Sequence, residues 1–182
     1  MAALHKNVYG IVSGAIFGAT MILLYTMSSI YHGLKPNTTG KKVLQILDHC
    51  SIFLLIAGSY TPFALCTLRE YDPVSGWVIF GIIWGMAILG IVLNSIDLKK
   101  YKIFSMICYL GMGWGIIAKI NLLPTLLGIS GFVLLVLGGV IYTIGAVLYG
   151  VGKKHKWMHS IFHICICIAS FLHFMCILLH VM

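Results

Sequence analysis

The chain has 182 residues, of which 60% are hydrophobic and only 9% charged, with a formal net charge of +8. Soluble domains carry about 25% charged residues. A mean hydropathy of +1.04 therefore excludes a water-soluble globular domain and makes lipid the solvent for most of the chain. The positive excess reads as membrane topology, and no basic cluster with interleaved aromatics makes nucleic acid a partner.

A spanning helix needs about 20 mostly apolar residues. In chain order, spans are predicted at 8–31, 48–68, 77–93, 103–118, 125–149 and from 158 to the C-terminus, the fourth being short. The expected architecture is all-α, a polytopic transmembrane helical bundle of six spans forming one integral membrane domain over residues 1–182. The loops between them are short: "GLKPNTTGKK" (33–42), "LREYDPVSG" (68–76), "NSIDLKKYK" (94–102), "KINLLP" (119–124) and "GVGKKHK" (150–156). Pro62 is expected to bend the second span. The first apolar run is too long for a cleavable signal and lacks its small-residue site. The six cysteines form no CxxC pair and read as small buried hydrophobes.

Lysine and arginine set the orientation. Alternate loops place Lys35, Lys41, Lys42, Lys99, Lys100, Lys102, Lys153, Lys154 and Lys156 on one side, and Lys6, Arg69 and Lys119 on the other. The rule that positive loops stay inside makes the loops after spans one, three and five cytoplasmic, with both termini outward. Glycines at four-residue spacing, Gly10–Gly14–Gly18, Gly81–Gly85 and Gly111–Gly115, are expected to let helices approach closely.

Few polar residues fall in the apolar spans, and four of them gather at one leaflet. His32 closes span one, Asp48 opens span two, and His159 and His163 open span six, all at the cytoplasmic ends. Ser28 and His32 share a helical face at i, i+4, as do His159 and His163. Two imidazoles so spaced can hold one Zn²⁺, and a catalytic zinc takes three protein ligands. His32, His159 and His163 supply three metal ligands; Asp48 is placed to take or orient a proton, and Ser28 to hold an imidazole or a substrate group. Each also has a plainer reading: the histidines as headgroup-level residues, and Asp48 as the N-cap of its helix. His49 projects about 100° from Asp48 and reads as interfacial; His5 and His155 belong with the flanking polar segments. His159, His163, Ser170, His173 and His180 make one polar stripe, expected to face the bundle interior and to line a wet cavity, a proton path or a pore.

"SSIYH" (28–32), "LDHCSIFLLIAGSYTPF" (47–63) and "HSIFHICICIASFLHF" (159–174) resemble the motifs of the hemolysin III family, within the progestin and adipoQ receptor superfamily. "YLGMGW" (109–114) and "GGVIYTIGAVLYG" (138–150) also fit, so the resemblance runs through essentially the whole chain. It implies a seven-helix bundle with a zinc near the cytoplasmic side, held by His32, His159 and His163, with Asp48 contacting its water and Ser28 as the motif serine. It also implies links to ceramide hydrolysis in the adiponectin receptors, and to haemolysis and pore formation in microbial members. Against that pattern the chain begins where the second family helix should start, so a first helix is expected to be lacking and the Gly10–Gly14–Gly18 face left for a second copy of the chain.

Three functions follow: a zinc-dependent hydrolase of a lipid amide or ester in the plasma membrane, a pore-forming cytolysin, and a receptor or sensor with structural zinc. Membrane lipids are the expected partners of all three, with homo-oligomers a further expectation.

Overall fold

A computed structural model describes residues 7–151 and 157–182, and all regular structure among them is helical. The chain divides into two compact units, Met1–Met112 and Gly113–Met182. His5, Lys6, Lys153, Lys154, His155 and Lys156 lie outside the described residues.

The first unit begins with α1 (Val8–Gly33), capped by Asn7, whose side-chain oxygen accepts from the Gly10 N–H at 3.1 Å. At its far end the Lys41 ammonium donates to the Leu34 carbonyl at 2.8 Å, placing a cation where the helix dipole is negative. The chain turns at Asn37, in the left-handed region at φ 64°. Asparagine tolerates that conformation better than most residues.

Thr38 then caps α2 (Thr39–Pro62), accepting from the Lys41 N–H at 3.2 Å. The helix therefore starts nine residues before Asp48, where the apolar pattern placed it. Lys41, Lys42 and Gln45 dilute the hydropathy of its first turns without weakening their helical hydrogen bonding. Asp48 is consequently an interior residue, and the capping reading of it falls.

Pro62 has no N–H to give and its ring crowds the preceding turn. The helix answers with a wider π-helical stretch, Phe63–Leu68, and then a last turn, α3 (Arg69–Tyr71). Asp72 caps α4 (Pro73–Ile96), accepting from the Ser75 N–H at 3.2 Å, with Pro73 in the first turn where its missing N–H costs nothing. α4 takes in Asn94, which the sequence had assigned to the following loop.

α2 packs against both α1 and α4 and buries Phe53, Ala57 and Thr61 completely. The Trp84 indole N–H donates to the Thr61 hydroxyl at 3.1 Å, tying α4 to α2. In this unit close approaches occur at Gly58, against Thr20, at Gly76, against Arg69, and at Gly90, against Phe53. They do not occur at Gly18, Gly81, Gly85 or Gly111, where an added Cβ would meet nothing within 4 Å. The four-residue spacing therefore does not mark packing positions at these four glycines, whereas Gly10, from the same pattern, is buried in α1.

The fourth predicted span is composite: α5 (Lys102–Trp114) has 13 residues and gives way to a 3-10 stretch, Gly115–Lys119. The 3-10 winding rises about 2.0 Å per residue against about 1.5 Å in an α-helix, so these residues cover more length than their number suggests. The other five predicted spans each contain a helix long and apolar enough to cross a membrane.

In the second unit, α6 (Leu123–Val151) and α7 (Met158–His180) pack along their lengths. Gly131 faces His180, Gly138 faces His173 and Gly145 faces Cys165, which is an antiparallel register. Gly128, at φ 70°, kinks the start of α6 in a conformation that glycine adopts at little cost. The Trp114 N–H donates to the Thr143 hydroxyl at 2.9 Å and fixes the chain entering this unit.

Candidate metal centre

His159 and His163 stand one turn apart at the start of α7, and their spacing brings both rings to one side of the helix. The rings meet edge to face with centroids 4.6 Å apart, and the two Nε2 atoms lie 3.1 Å apart. Two nitrogens bound to one tetrahedral zinc at about 2.0–2.1 Å would lie about 3.3 Å apart. The observed separation is close to that spacing, and it is also the length of a hydrogen bond between one protonated and one bare ring nitrogen. Phe162 and Tyr149 flank it, the Phe162 ring centroid 5.2 Å from His163 and the Tyr149 centroid 6.2 Å from His159. Their bulk limits the rotamers open to both imidazoles.

In the first unit, Ser28 is half-buried and His32 exposed on the last turns of α1. The Tyr31 ring packs edge-on to His32 at 4.8 Å, and the Lys41 ammonium lies over Tyr31 at 5.1 Å. Asp48 is an electrostatic neighbour of Tyr31, so the end of α1 and the Asp48 turn of α2 share one polar locality. The Asp48 carboxylate is partly buried and its Oδ2 sits 4.0 Å from His49 Nδ1. His49 is half-buried, its Nδ1–H donating to the Gln45 carbonyl at 2.8 Å.

A polar chain that the sequence reading missed holds this part of α2. The Ser105 hydroxyl donates to Asn94 Oδ1 at 2.5 Å, the Asn94 amide donates to the Tyr109 oxygen at 3.5 Å, and the Tyr109 hydroxyl donates to the His49 carbonyl at 2.9 Å. Asn94 is fully buried. The signal available in sequence was an asparagine ending the apolar run "GIVLN", which a loop assignment had absorbed.

The family model described as haemolysin-III related matches residues 1–174. The chain belongs to the haemolysin-III-related family. Hemolysin-3 of Bacillus cereus is 38% identical over 181 residues, covering 100% of this chain and 80% of the relative. The Hemolysin-3 homolog of Bacillus subtilis (strain 168) is 37% identical over 179 residues, covering 98% and 82%. The monocyte to macrophage differentiation factor of Homo sapiens is 26% identical over 169 residues, covering 87% of this chain and 66% of that protein. No solved structure matches the chain. Family and apolar helices together make this haemolysin-III-related chain an integral membrane protein, as its composition required.

Proposed function

We propose that the protein is a zinc-dependent intramembrane hydrolase of a lipid amide or ester. In this reading His32 joins the His159–His163 pair in holding one metal ion. The observation that carries it is the 3.1 Å separation of the two Nε2 atoms, which matches two ligand positions on one tetrahedral ion. When bound, zinc supplies the Lewis acidity that activates water near neutral pH.

The chain's own residues do the rest. Asp48 is the acid among them: it takes the proton as water attacks the lipid carbonyl and returns it to the leaving amine or alkoxide as the C–N or C–O bond breaks. Ser28, one turn from His32 on α1, holds the carbonyl-bearing headgroup or the second nitrogen of His32. Orientation is read from the charged loops: the excess of lysine in Lys35, Lys41, Lys42, Lys99, Lys100 and Lys102 favours a cytoplasmic-leaflet site.

The test is the metal content of the purified protein beside His163→Ala, followed by lipid-amide turnover in proteoliposomes. About one zinc per chain in the wild type, lost in the variant together with turnover, is expected. A folded wild type with no metal sinks the proposal. The name of the Bacillus cereus relative, Hemolysin-3, favours cytolysis as a second reading. Undiminished red-cell lysis by His163→Ala, with single-channel currents from the purified protein, would establish that reading.

A further inference from the structure

The chain contains a single arginine, Arg69. It lies just past the π-helical stretch, and its backbone N–H donates to the Ala64 carbonyl. The start of α4 seats directly on it: a Cβ at Gly76 would overlap its backbone. The side chain is held too. Its Nε–H donates to the Leu65 carbonyl at 2.8 Å, and its guanidinium carbon lies 3.6 Å from the centroid of the Tyr9 ring. At that distance the two groups stack in contact, which fixes the plane of the fork and covers one of its faces.

The carboxylates nearest in sequence do not use the fork. Asp72 accepts from the Ser75 N–H and hydroxyl as the cap of α4. Glu70 is exposed and projects about 100° around the helix from Arg69. Among the described residues Arg69 makes no ion pair, so the N–H groups of its Nη atoms are left without a protein acceptor. A guanidinium held in one plane with its terminal nitrogens open matches two oxygens of one carboxylate or phosphate.

The surroundings choose between them. Tyr9 and His32 lie at opposite ends of α1, separated along its axis by about 34 Å at about 1.5 Å per residue. The hydrocarbon core of a bilayer is about 30 Å thick. Arg69, stacked on Tyr9, therefore sits at the headgroup level of the leaflet opposite the His32 end. Tyr9, Tyr71 and Trp77 are exposed at this end of the unit, as the aromatic belt of a membrane interface is. The acceptor with paired oxygens that a membrane supplies at that level is the phosphodiester of a phospholipid.

We propose that Arg69, braced by Tyr9, binds the phosphodiester of a phospholipid in the leaflet opposite the His32 end of α1. Its Nη atoms donate to two phosphate oxygens, while the Leu65 carbonyl and the Tyr9 ring hold the fork in place. The site lies wholly within the first unit and needs no metal.

Because Arg69 is the single arginine, a ¹³C label on the arginine guanidinium carbon reports on this residue alone. The full chain so labelled is placed in fluid phosphatidylglycerol bilayers, and the ¹³C–³¹P dipolar coupling is measured by solid-state NMR. A lipid merely passing by averages that coupling away, whereas a bound phosphodiester retains it. A retained coupling is expected in the wild type. It should vanish in bilayers of digalactosyldiacylglycerol, which holds no phosphorus, and should stay absent there when inorganic phosphate is added. Restoration by inorganic phosphate would make the occupant a free anion and overturn the lipid assignment. No coupling in phosphatidylglycerol overturns the proposal with no variant needed. Tyr9→Leu, which removes the stack and keeps the charge, should reduce the coupling; an unchanged coupling in that folded variant would overturn the braced site.

Discussion

The ring of Phe53 occupies the space that a side chain at position 90 would need: a Cβ built on Gly90 falls within it. Phe53 is completely buried, so the ring has no free direction in which to retreat. Gly90→Ala is therefore expected to destabilise the protein by about 1–3 kcal/mol through overpacking. Gly85→Ala, on the same helix, meets nothing within 4 Å and should be neutral or slightly stabilising, since alanine is the better helix former. Thermal unfolding in detergent checks both; equal midpoints for the two variants would refute the packing assignment.

The buried chain Ser105–Asn94–Tyr109–His49 gives a second prediction. Asn94→Leu leaves the Ser105 hydroxyl without its acceptor and the Tyr109 oxygen without its donor. A loss of about 1–3 kcal/mol is expected, with Ser105→Ala costing less because it removes a single bond. An Asn94→Leu protein as stable as wild type would show that the network contributes nothing.

If His159 and His163 hold a metal, binding adds to stability by mass action. At a free metal concentration of about 100 Kd the gain is about 2.7 kcal/mol. Chelation of the wild type should therefore lower its unfolding temperature, and the His159→Ala/His163→Ala double variant should be indifferent to chelator. A chelator response that persists in the double variant would assign the metal elsewhere.

On the proposed hydrolase reading, Asp48 and Thr38 separate chemistry from helix capping. Because Thr38 is the cap of α2, Thr38→Ala should cost about 1 kcal/mol of stability while leaving the site chemistry intact. Asp48→Asn should keep its metal and its fold but lose about 10²–10⁴-fold in turnover, the range for a missing general base. Unfolding curves and lipid-hydrolysis rates on the same preparations measure both effects. Full turnover by Asp48→Asn would remove the aspartate from the mechanism.

By itself the sequence determined the helical class, the approximate place of every long helix and the turn-by-turn pairing of His159 with His163. Those features are local: apolar runs longer than the bilayer is thick, broken by charge, glycine and proline, and a spacing of four on one helix. Tertiary structure decided the rest. Hydropathy put the start of α2 at Asp48, but the capping geometry of Thr38 moved it nine residues earlier. Spacing nominated Gly81 and Gly85 for packing, but only the neighbouring helix could select Gly90, by setting Phe53 against it. Asn94 looked like a loop residue until Ser105 and Tyr109 arrived from α5 to satisfy it. His173 became distinct from the other stripe residues only when Gly138 of α6 made room for its ring. In a chain this uniformly apolar, burial from water no longer tells one face of a helix from another. Which face packs is left to the shape and hydrogen bonding of residues far apart in sequence.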